Sequence, residues 1–135
     1  MSLLVDTSAW SLALRREGAE DAREVTALHT ALLGAAQVFP TGLVLQELLQ
    51  GFAGPKAGEQ IIERFAALAF LQPDREDHIE AAQVRSACRR KGVQVGTIDA
   101  LLSQLCRRHD LVLLSTDKDF ENARRHVPFG LWQSA

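Results

Sequence analysis

The sequence lacks the features that mark secreted, membrane-spanning or disulfide-bonded proteins. Its longest uninterrupted apolar run, residues 65–71, is far shorter than the roughly 20 residues needed to cross a bilayer. The only cysteines, Cys88 and Cys106, form no C-x-x-C pair, which argues against a disulfide framework or a thiolate zinc site. The N-terminus has no basic segment, and Asp6 interrupts its apolar stretch, so no secretory signal is expected. We therefore expect a cytoplasmic protein without a membrane span.

Several common catalytic motifs are also missing from the sequence. It contains no G-x-x-x-x-G-K-[ST], G-x-G-x-x-G or G-x-S-x-G, which argues against nucleotide triphosphatases, dinucleotide-dependent enzymes and serine hydrolases. His78-Ile-Glu80 matches the H-x-E of zinc deaminases, but the P-C-x-x-C that this chemistry requires is absent. Cys106 and His109 have helical metal spacing without a second matching pair. The net charge of −2 argues against a highly basic protein that coats nucleic acid.

What is present fits one globular domain of the α/β class. The 135 residues, 47% hydrophobic and 24% charged, are expected to form a single domain over 1–135. Short apolar segments alternate with amphipathic stripes, which predicts a three-layer α/β/α sandwich with a mostly parallel central sheet. The predicted strands are 3–5, 37–39, 111–114 and 129–132, and the predicted helices are 19–33, 43–50, 56–70, 74–91 and 97–109 with Thr97 as N-cap.

Four acidic residues stand where such a fold places ligand sites. Asp6 and Asp117 follow the predicted strands 3–5 and 111–114, and ligands of parallel sheets bind beyond the carboxyl ends of the strands. Asp99 lies in the first turn of its helix, where the dipole favours an anion. Glu47 lies among leucines, where burying a carboxylate costs free energy unless a cation lies beside it. A shared divalent cation would make the cluster tolerable, and all-oxygen ligation suits Mg²⁺ or Mn²⁺.

Each acid also has a purely structural interpretation. Asp6 and Asp117 can be ordinary helix caps, Asp99 can complement a helix dipole, and Glu47 can face solvent beside Gln46. Taken together, these interpretations account for the pattern less well than one shared site does.

The same acids lie within segments that resemble the PIN-domain ribonucleases, and more narrowly the VapC toxins. The matching segments are Leu-Leu-Val-Asp6-Thr-Ser-Ala-Trp10, Gln46-Glu47-Leu48, Thr97-Ile-Asp99-Ala-Leu-Leu and Leu-Leu-Ser115-Thr-Asp117-Lys-Asp119-Phe120. They occur in the family's order and at its usual spacing from residue 3 to about 120. At Ser115 the family more often has threonine, a change that keeps the hydroxyl.

The resemblance implies a PIN fold and a Mg²⁺- or Mn²⁺-dependent endoribonuclease that acts as the toxin of a toxin–antitoxin pair. It also implies a homodimer, an RNA substrate and inhibition by a cognate antitoxin. Catalytic and metal-ligand roles carry over to Asp6, Glu47, Asp99 and Asp117. Asp119 becomes an auxiliary acid, and Thr7 and Ser115 become hydroxyls that support the ligands.

RNA phosphates need cations at the rim of an acidic pocket. Arg85 and Arg89 lie four residues apart on one helix face and are our first candidates, although such residues also occur simply as solvated helix surface. Trp10 and Phe120 are candidates for base stacking, but aromatic side chains beside strand ends are more often part of the core.

Three other functions remain open at this point. The same fold serves nucleases for RNA processing or DNA flaps that have no toxin role, and a non-catalytic RNA-binding or protein-interaction domain would be expected to lack some of the acids. A phosphatase with a nucleophilic aspartate usually has D-x-D after the first strand, and here the third position is Ser8.

Overall fold

A four-stranded parallel sheet organises the computed structural model, which describes residues 1–15, 22–34 and 36–133. The strands are β1 Leu3–Val5, β2 Val38–Phe39, β3 Val112–Leu114 and β4 Gly130–Leu131. Their order is β2-β1-β3-β4, and every neighbouring pair is parallel. The four strands lie within the four predicted segments.

Helices supply the connections that parallel strands require. They are α1 Thr7–Leu14, α2 Arg23–Leu33, α3 Gly42–Gly51, α4 Pro55–Ala66, α5 Arg75–Arg90, α6 Thr97–His109 and α7 Asp119–Arg124. The helices flank the sheet, so the predicted α/β/α class is confirmed. None of the helices in the described ranges has the length and apolar character needed to traverse a membrane.

The two central strands are the most deeply buried part of the sheet. All three residues of β1 are at most 1% exposed, and Leu113 and Leu114 of β3 are fully buried. Strands covered on both faces read as continuous apolar runs, which is why both were recognisable in the sequence. The chain leaves β1 at Asp6 and β3 at Ser115, two polar residues at the same edge of the sheet.

Two helices were not predicted. Helix α1 contacts both α2 and α3, so it carries apolar residues on more than one side and shows no single stripe. Helix α7 has only six residues, too few for a periodic pattern. The N-cap of α6 was also predicted wrongly, because Gly96 occupies that position and Thr97 is the first helical residue.

The apolar periodicity of the sequence predicts inner faces that include Leu33 in helix 19–33 and Ile62 in helix 56–70, and the structure corrects both positions. In α2 the buried stripe is Val25, Leu28 and Ala31, which leaves Leu33 90% exposed. In α4 Ile62 is 54% exposed, although its neighbours Ile61 and Phe65 are buried. The predicted helix 19–33 begins partly outside the described residues, and its observed start is Arg23.

A charged cluster ties the start of α5 to the end of α6. Asp74 and Asp77 form a reciprocal capping box at the N-terminus of α5. Arg108 of α6 pairs with both carboxylates, at 3.0 Å from Asp74 and 2.5 Å from Asp77. The Asp77 side chain is 1% exposed, so Arg108 balances a charge that is withdrawn from water.

Candidate active site

Asp6 is a buried acid held by three hydrogen bonds. It caps α1, and its Oδ1 accepts from the backbone N–H of Ala9 at 3.1 Å and from the Ser8 hydroxyl at 2.7 Å. Its Oδ2 accepts from the Ser115 hydroxyl at 2.5 Å. Burial raises the pKa of Asp6 above its ordinary value of 3.8, and these hydrogen bonds oppose the rise. Only 5% of the residue is exposed.

The hydroxyls of Ser8 and Ser115 join the first turn of α1 to the loop after β3. Their oxygens are 3.2 Å apart. The backbone N–H of Thr116 donates to Ser8 at 3.0 Å, and the backbone N–H of Asp117 donates to Ser115 at 2.9 Å. These neutral groups therefore link the segment that carries Asp6 to the segment that carries Asp117.

Glu47 reaches the same edge of the sheet from α3. The Thr7 hydroxyl donates to its Oε1 at 2.7 Å, and Thr7 directly follows Asp6 in the chain. Glu47 is half-buried. Glu47 therefore does not simply face solvent beside Gln46, because its carboxylate accepts a hydrogen bond from Thr7, the residue next to Asp6.

Asp99 is the acid whose pKa is affected by all the other acids of the site. Burial, and after it the negative charges of Asp117, Asp6, Glu47 and Asp119 in that order of size, together raise the pKa of Asp99 from 3.8 to about 6. All four of these acids therefore lie close enough to Asp99 to disfavour its ionised form. The structure brings together every acid singled out in the sequence.

Asp117 and Asp119 occupy an exposed turn at the start of α7. The carboxylate of Asp117 accepts from the backbone N–H of Asp119 at 2.9 Å. This contact orders the turn and leaves the second carboxylate oxygen of Asp117 available to the solvent side of the cluster.

The two candidate arginines lie beside this cluster, along α5. Arg85 and Arg89 are exposed and line a cavity of about 390 Å³ whose other walls include Leu43, Thr97 and Ile98. Thr97 and Ile98 immediately precede Asp99, so the cavity borders the turn that carries the central acid. The Arg85 Nε–H also donates to the carbonyl of Val95 at 2.9 Å, which fixes the loop leading into α6.

Comparison with known proteins decides the family. The PIN domain family model matches residues 3–126. The chain belongs to the PIN-domain family. No curated protein sequence gives a significant match.

Solved structures of PIN-domain toxins share the fold at low sequence identity. VapBC2 from Rickettsia felis, bound to a DNA fragment from its promoter, matches with a TM-score of 0.77, 15% identity and 100% coverage of both chains. DNA-bound VapBC from Salmonella typhimurium matches with a TM-score of 0.75 and 20% identity over 98% of this chain and 97% of that one. VapC20 from Mycobacterium tuberculosis, a sarcin-ricin loop cleaving toxin, matches with a TM-score of 0.68 and 22% identity over 90% of this chain and 94% of that one.

The donor set of this PIN domain suits a hard divalent cation. The candidate ligands are all carboxylate oxygens, with hydroxyls rather than amines or thiols around them. Among the residues that the structure describes, however, no three acidic, histidine or cysteine side chains are placed as they stand to hold one metal ion. The acids are thus close enough to affect one another's charge, but their carboxylates are not close enough to coordinate one ion as they stand.

Sequence reasoning missed one polar residue of the site. Ser8 stood out in the sequence only as the residue that excludes a D-x-D motif, yet its hydroxyl contacts Asp6, Ser115 and the backbone N–H of Thr116. The available signal was its position two residues after a strand-ending aspartate, where a hydroxyl readily bonds back to the carboxylate. Trp10 and Phe120 are 2% and 1% exposed, which confirms that they belong to the core.

Proposed function

We propose that this PIN domain is a Mg²⁺- or Mn²⁺-dependent endoribonuclease that acts as the toxin of a toxin–antitoxin pair. The observation that carries the proposal is the gathering of four other acids around Asp99, at the carboxyl edge of a parallel sheet. Like charges so arranged repel one another, and a divalent cation relieves that repulsion. What such a cation supplies when bound is positive charge that polarises a phosphodiester and acidifies a water molecule.

The protein's own residues would hold and orient that cation. We assign the ligand role to Asp6, Glu47, Asp99 and Asp117, with Asp119 as an auxiliary acid. Hydroxyls already restrain two of these carboxylates, because Thr7 donates to Glu47 and both Ser8 and Ser115 donate to Asp6. The acids would still have to draw together to share one cation, but fewer side chains would have to be ordered when it binds.

The RNA backbone needs positive charge beside these acids. We assign phosphate contacts to Arg85 and Arg89, which line the cavity next to the turn of Asp99. Arg89→Ala should weaken RNA binding similarly for all sequences and reduce the slope of log K against log salt by about 1. Glu63→Gln, an exposed change on α4, is the control and should leave that slope unchanged.

Cleavage in vitro tests the enzymatic part of the proposal. Purified protein free of antitoxin should cut RNA internally when Mg²⁺ or Mn²⁺ is present, and a DNA of the same sequence should remain intact. Asp6→Asn and Asp99→Asn should abolish cleavage, whereas Glu63→Gln should retain it. Cleavage that continues in excess chelator would show that the chemistry does not depend on a divalent cation.

The toxin role has its own test. Its support is the shared fold with VapC proteins solved in VapBC complexes, which makes a cognate antitoxin and a homodimer part of the proposal. Expression in the cytoplasm, the proposed location, should arrest growth in a way that Asp99→Asn prevents and the adjacent antitoxin gene relieves. Unimpaired growth with cleavage intact in vitro would favour an RNA-processing nuclease. Sedimentation of the purified chain should give the mass of a dimer.

A further inference from the structure

A second cavity, which shares no lining residue with the one at the arginines, borders the acid cluster. It measures about 300 Å³ and is formed by residues of α2, the loop after β3, α7 and the end of β4. Its lining residues are Glu24, Ser115, Thr116, Asp117, Lys118, Glu121, Leu131, Trp132 and Gln133. Its volume lies at the small end of ligand pockets, which run from roughly 300 to 1,000 Å³. Because Ser115 and Asp117 belong to both places, the cavity opens directly beside the candidate active site.

The cavity has one aromatic wall held by the sheet. The backbone N–H of Trp132 donates to the carbonyl of Leu113 at 2.9 Å, which anchors the residue to the end of β3. Its side chain is half-buried and lines the cavity together with Leu131. A partly exposed indole on an anchored backbone, at the edge of the candidate active site, offers a surface on which a nucleobase can stack.

The polar part of the cavity is dominated by carboxylates. Glu24, Asp117 and Glu121 face a single basic residue of the lining, Lys118. A phosphate would meet net negative charge here, so the cavity favours the uncharged part of a nucleotide. Ionised carboxylates accept hydrogen bonds and cannot donate them. The base that fits best therefore presents donors.

Among the four RNA bases, guanine alone presents two adjacent donors, N1–H and the 2-amino group, on its pairing edge. Adenine and cytosine each place an acceptor next to their amino group, and uracil flanks its single donor with two carbonyls. Acceptors would face the carboxylates of Glu24 and Glu121 at an electrostatic cost. Bases in single-stranded RNA can be read on this edge because they can be splayed out of the helix.

We propose that this cavity is a guanine-binding subsite of the nuclease, in which Trp132 stacks on the base and Glu24 and Glu121 accept its donors. The inference rests on the proposed function, because it names a base of the substrate that the acid cluster would cut. It makes the enzyme selective for single-stranded RNA with a guanosine near the scissile bond.

Binding in the presence of chelator tests the subsite without cleavage. The probes are fluorescein-labelled uridine hexamers in which the third residue is guanosine, inosine or adenosine, and affinity is measured by anisotropy. The guanosine hexamer should bind at least tenfold more tightly than the adenosine hexamer. Inosine, which keeps N1–H and lacks the amino group, should fall between them. An unlabelled guanosine hexamer should also quench Trp132, whereas the buried Trp10 should not respond.

Variants assign the effect to the named side chains. Glu121→Gln and Glu24→Gln should each reduce the guanosine preference about tenfold, and Glu63→Gln should preserve it. Trp132→Ala should weaken binding of the guanosine hexamer at least fivefold. Trp132→Phe, which keeps an aromatic ring if the alanine variant fails to fold, should preserve the preference while removing the fluorescence change.

The outcomes separate this inference from the proposed function. Equal affinity for the guanosine and adenosine hexamers, or a preference that survives both glutamine substitutions, would overturn the subsite even if the protein cuts RNA. A guanosine preference lost in these variants would support the subsite even if no metal induced cleavage, and it is the nuclease assignment that would then fail.

Discussion

The raised pKa of Asp99 makes a prediction about stability that runs against intuition. Removing this candidate catalytic charge should stabilise the cation-free protein at neutral pH. Asp99→Asn keeps the size and shape of the side chain but removes the negative charge that burial and four neighbouring acids disfavour. In the presence of chelator, the variant should therefore unfold at a higher temperature than the wild type.

The magnitude follows from the shift in pKa. A rise from 3.8 to about 6 corresponds to about 3 kcal/mol at most. Asp99 is only half-buried, and solvent screening reduces this to about 1–2 kcal/mol. For a domain of this length, we expect a rise in Tm of about 3–8 °C.

The difference in stability between the wild type and Asp99→Asn should depend on pH in a defined direction. Between pH 3.8 and about 6, the folded wild type retains a proton on Asp99 that the unfolded chain releases, so its stability falls as the pH rises through this window. The asparagine variant does not titrate at this position. The difference in free energy of unfolding should thus be near zero below pH 4 and reach its full value above pH 6.

Urea denaturation from pH 4 to 8 with chelator measures this difference, and Glu63→Gln on the exposed face of α4 serves as the matched control. Saturating Mg²⁺ at pH 7.5 should then stabilise the wild type and not Asp99→Asn, which reduces or reverses their order. A variant that is less stable than the wild type in chelator, or a difference that is the same at every pH, would refute the electrostatic account of the cluster.

Three further predictions concern the surroundings of the site and the frame that holds it. Thr7→Val removes the hydroxyl that fixes Glu47 and should weaken Mn²⁺ binding about 10–100-fold by calorimetry, with Thr7→Ser close to the wild type; unchanged affinity in the valine variant would show that the contact does not orient a ligand. Gly130→Ala should destabilise the fold by about 1–3 kcal/mol in urea, because its Cβ would lie 2.7 Å from a backbone carbonyl of the neighbouring strand. Gly51→Ala meets no atom within 4 Å and should not destabilise the protein. Arg108→Ala removes the cation that pairs with the buried Asp77 of α5 and should lower the urea midpoint of unfolding; an unchanged midpoint would mean that the ion pair does not contribute to stability.

The sequence was most informative where burial imposes a simple pattern. The continuous apolar runs at 3–5 and 111–114 predicted the central strands, because parallel strands covered on both faces tolerate few polar residues. It was least informative where one element contacts several others. Helix α1 packs against two helices, so its apolar residues follow no single period. In α2, the predicted apolar stripe included Leu33, so nothing in that pattern indicated that this residue is exposed.

The acids of the site were recognisable from the sequence, and so were the supporting hydroxyls of Thr7 and Ser115, but the role of Ser8 was not. Asp6, Glu47, Asp99 and Asp117 could be proposed because each is an acid at a strand end, at a helix start or among apolar residues. The contacts of Ser8 depend on how the first turn of α1 meets the loop after β3, two segments that are far apart in sequence. The cavity at Trp132 depends in the same way on where the last strand places its end, and no local pattern encodes that position.

The chemistry of the groups that support the acids explains why the site keeps an excess of negative charge. The hydroxyl of Thr7 orients Glu47, and those of Ser8 and Ser115 orient Asp6; they satisfy part of the hydrogen-bonding capacity of these two acids without neutralising their charge. A lysine or arginine in the same positions would have satisfied the acids with positive charge and reduced their attraction for a cation, as Arg108 does for Asp77 in the capping cluster. The two acidic clusters of this chain thus differ in the charge of their partners, and only the one supported by hydroxyls retains the negative potential that a divalent cation would need.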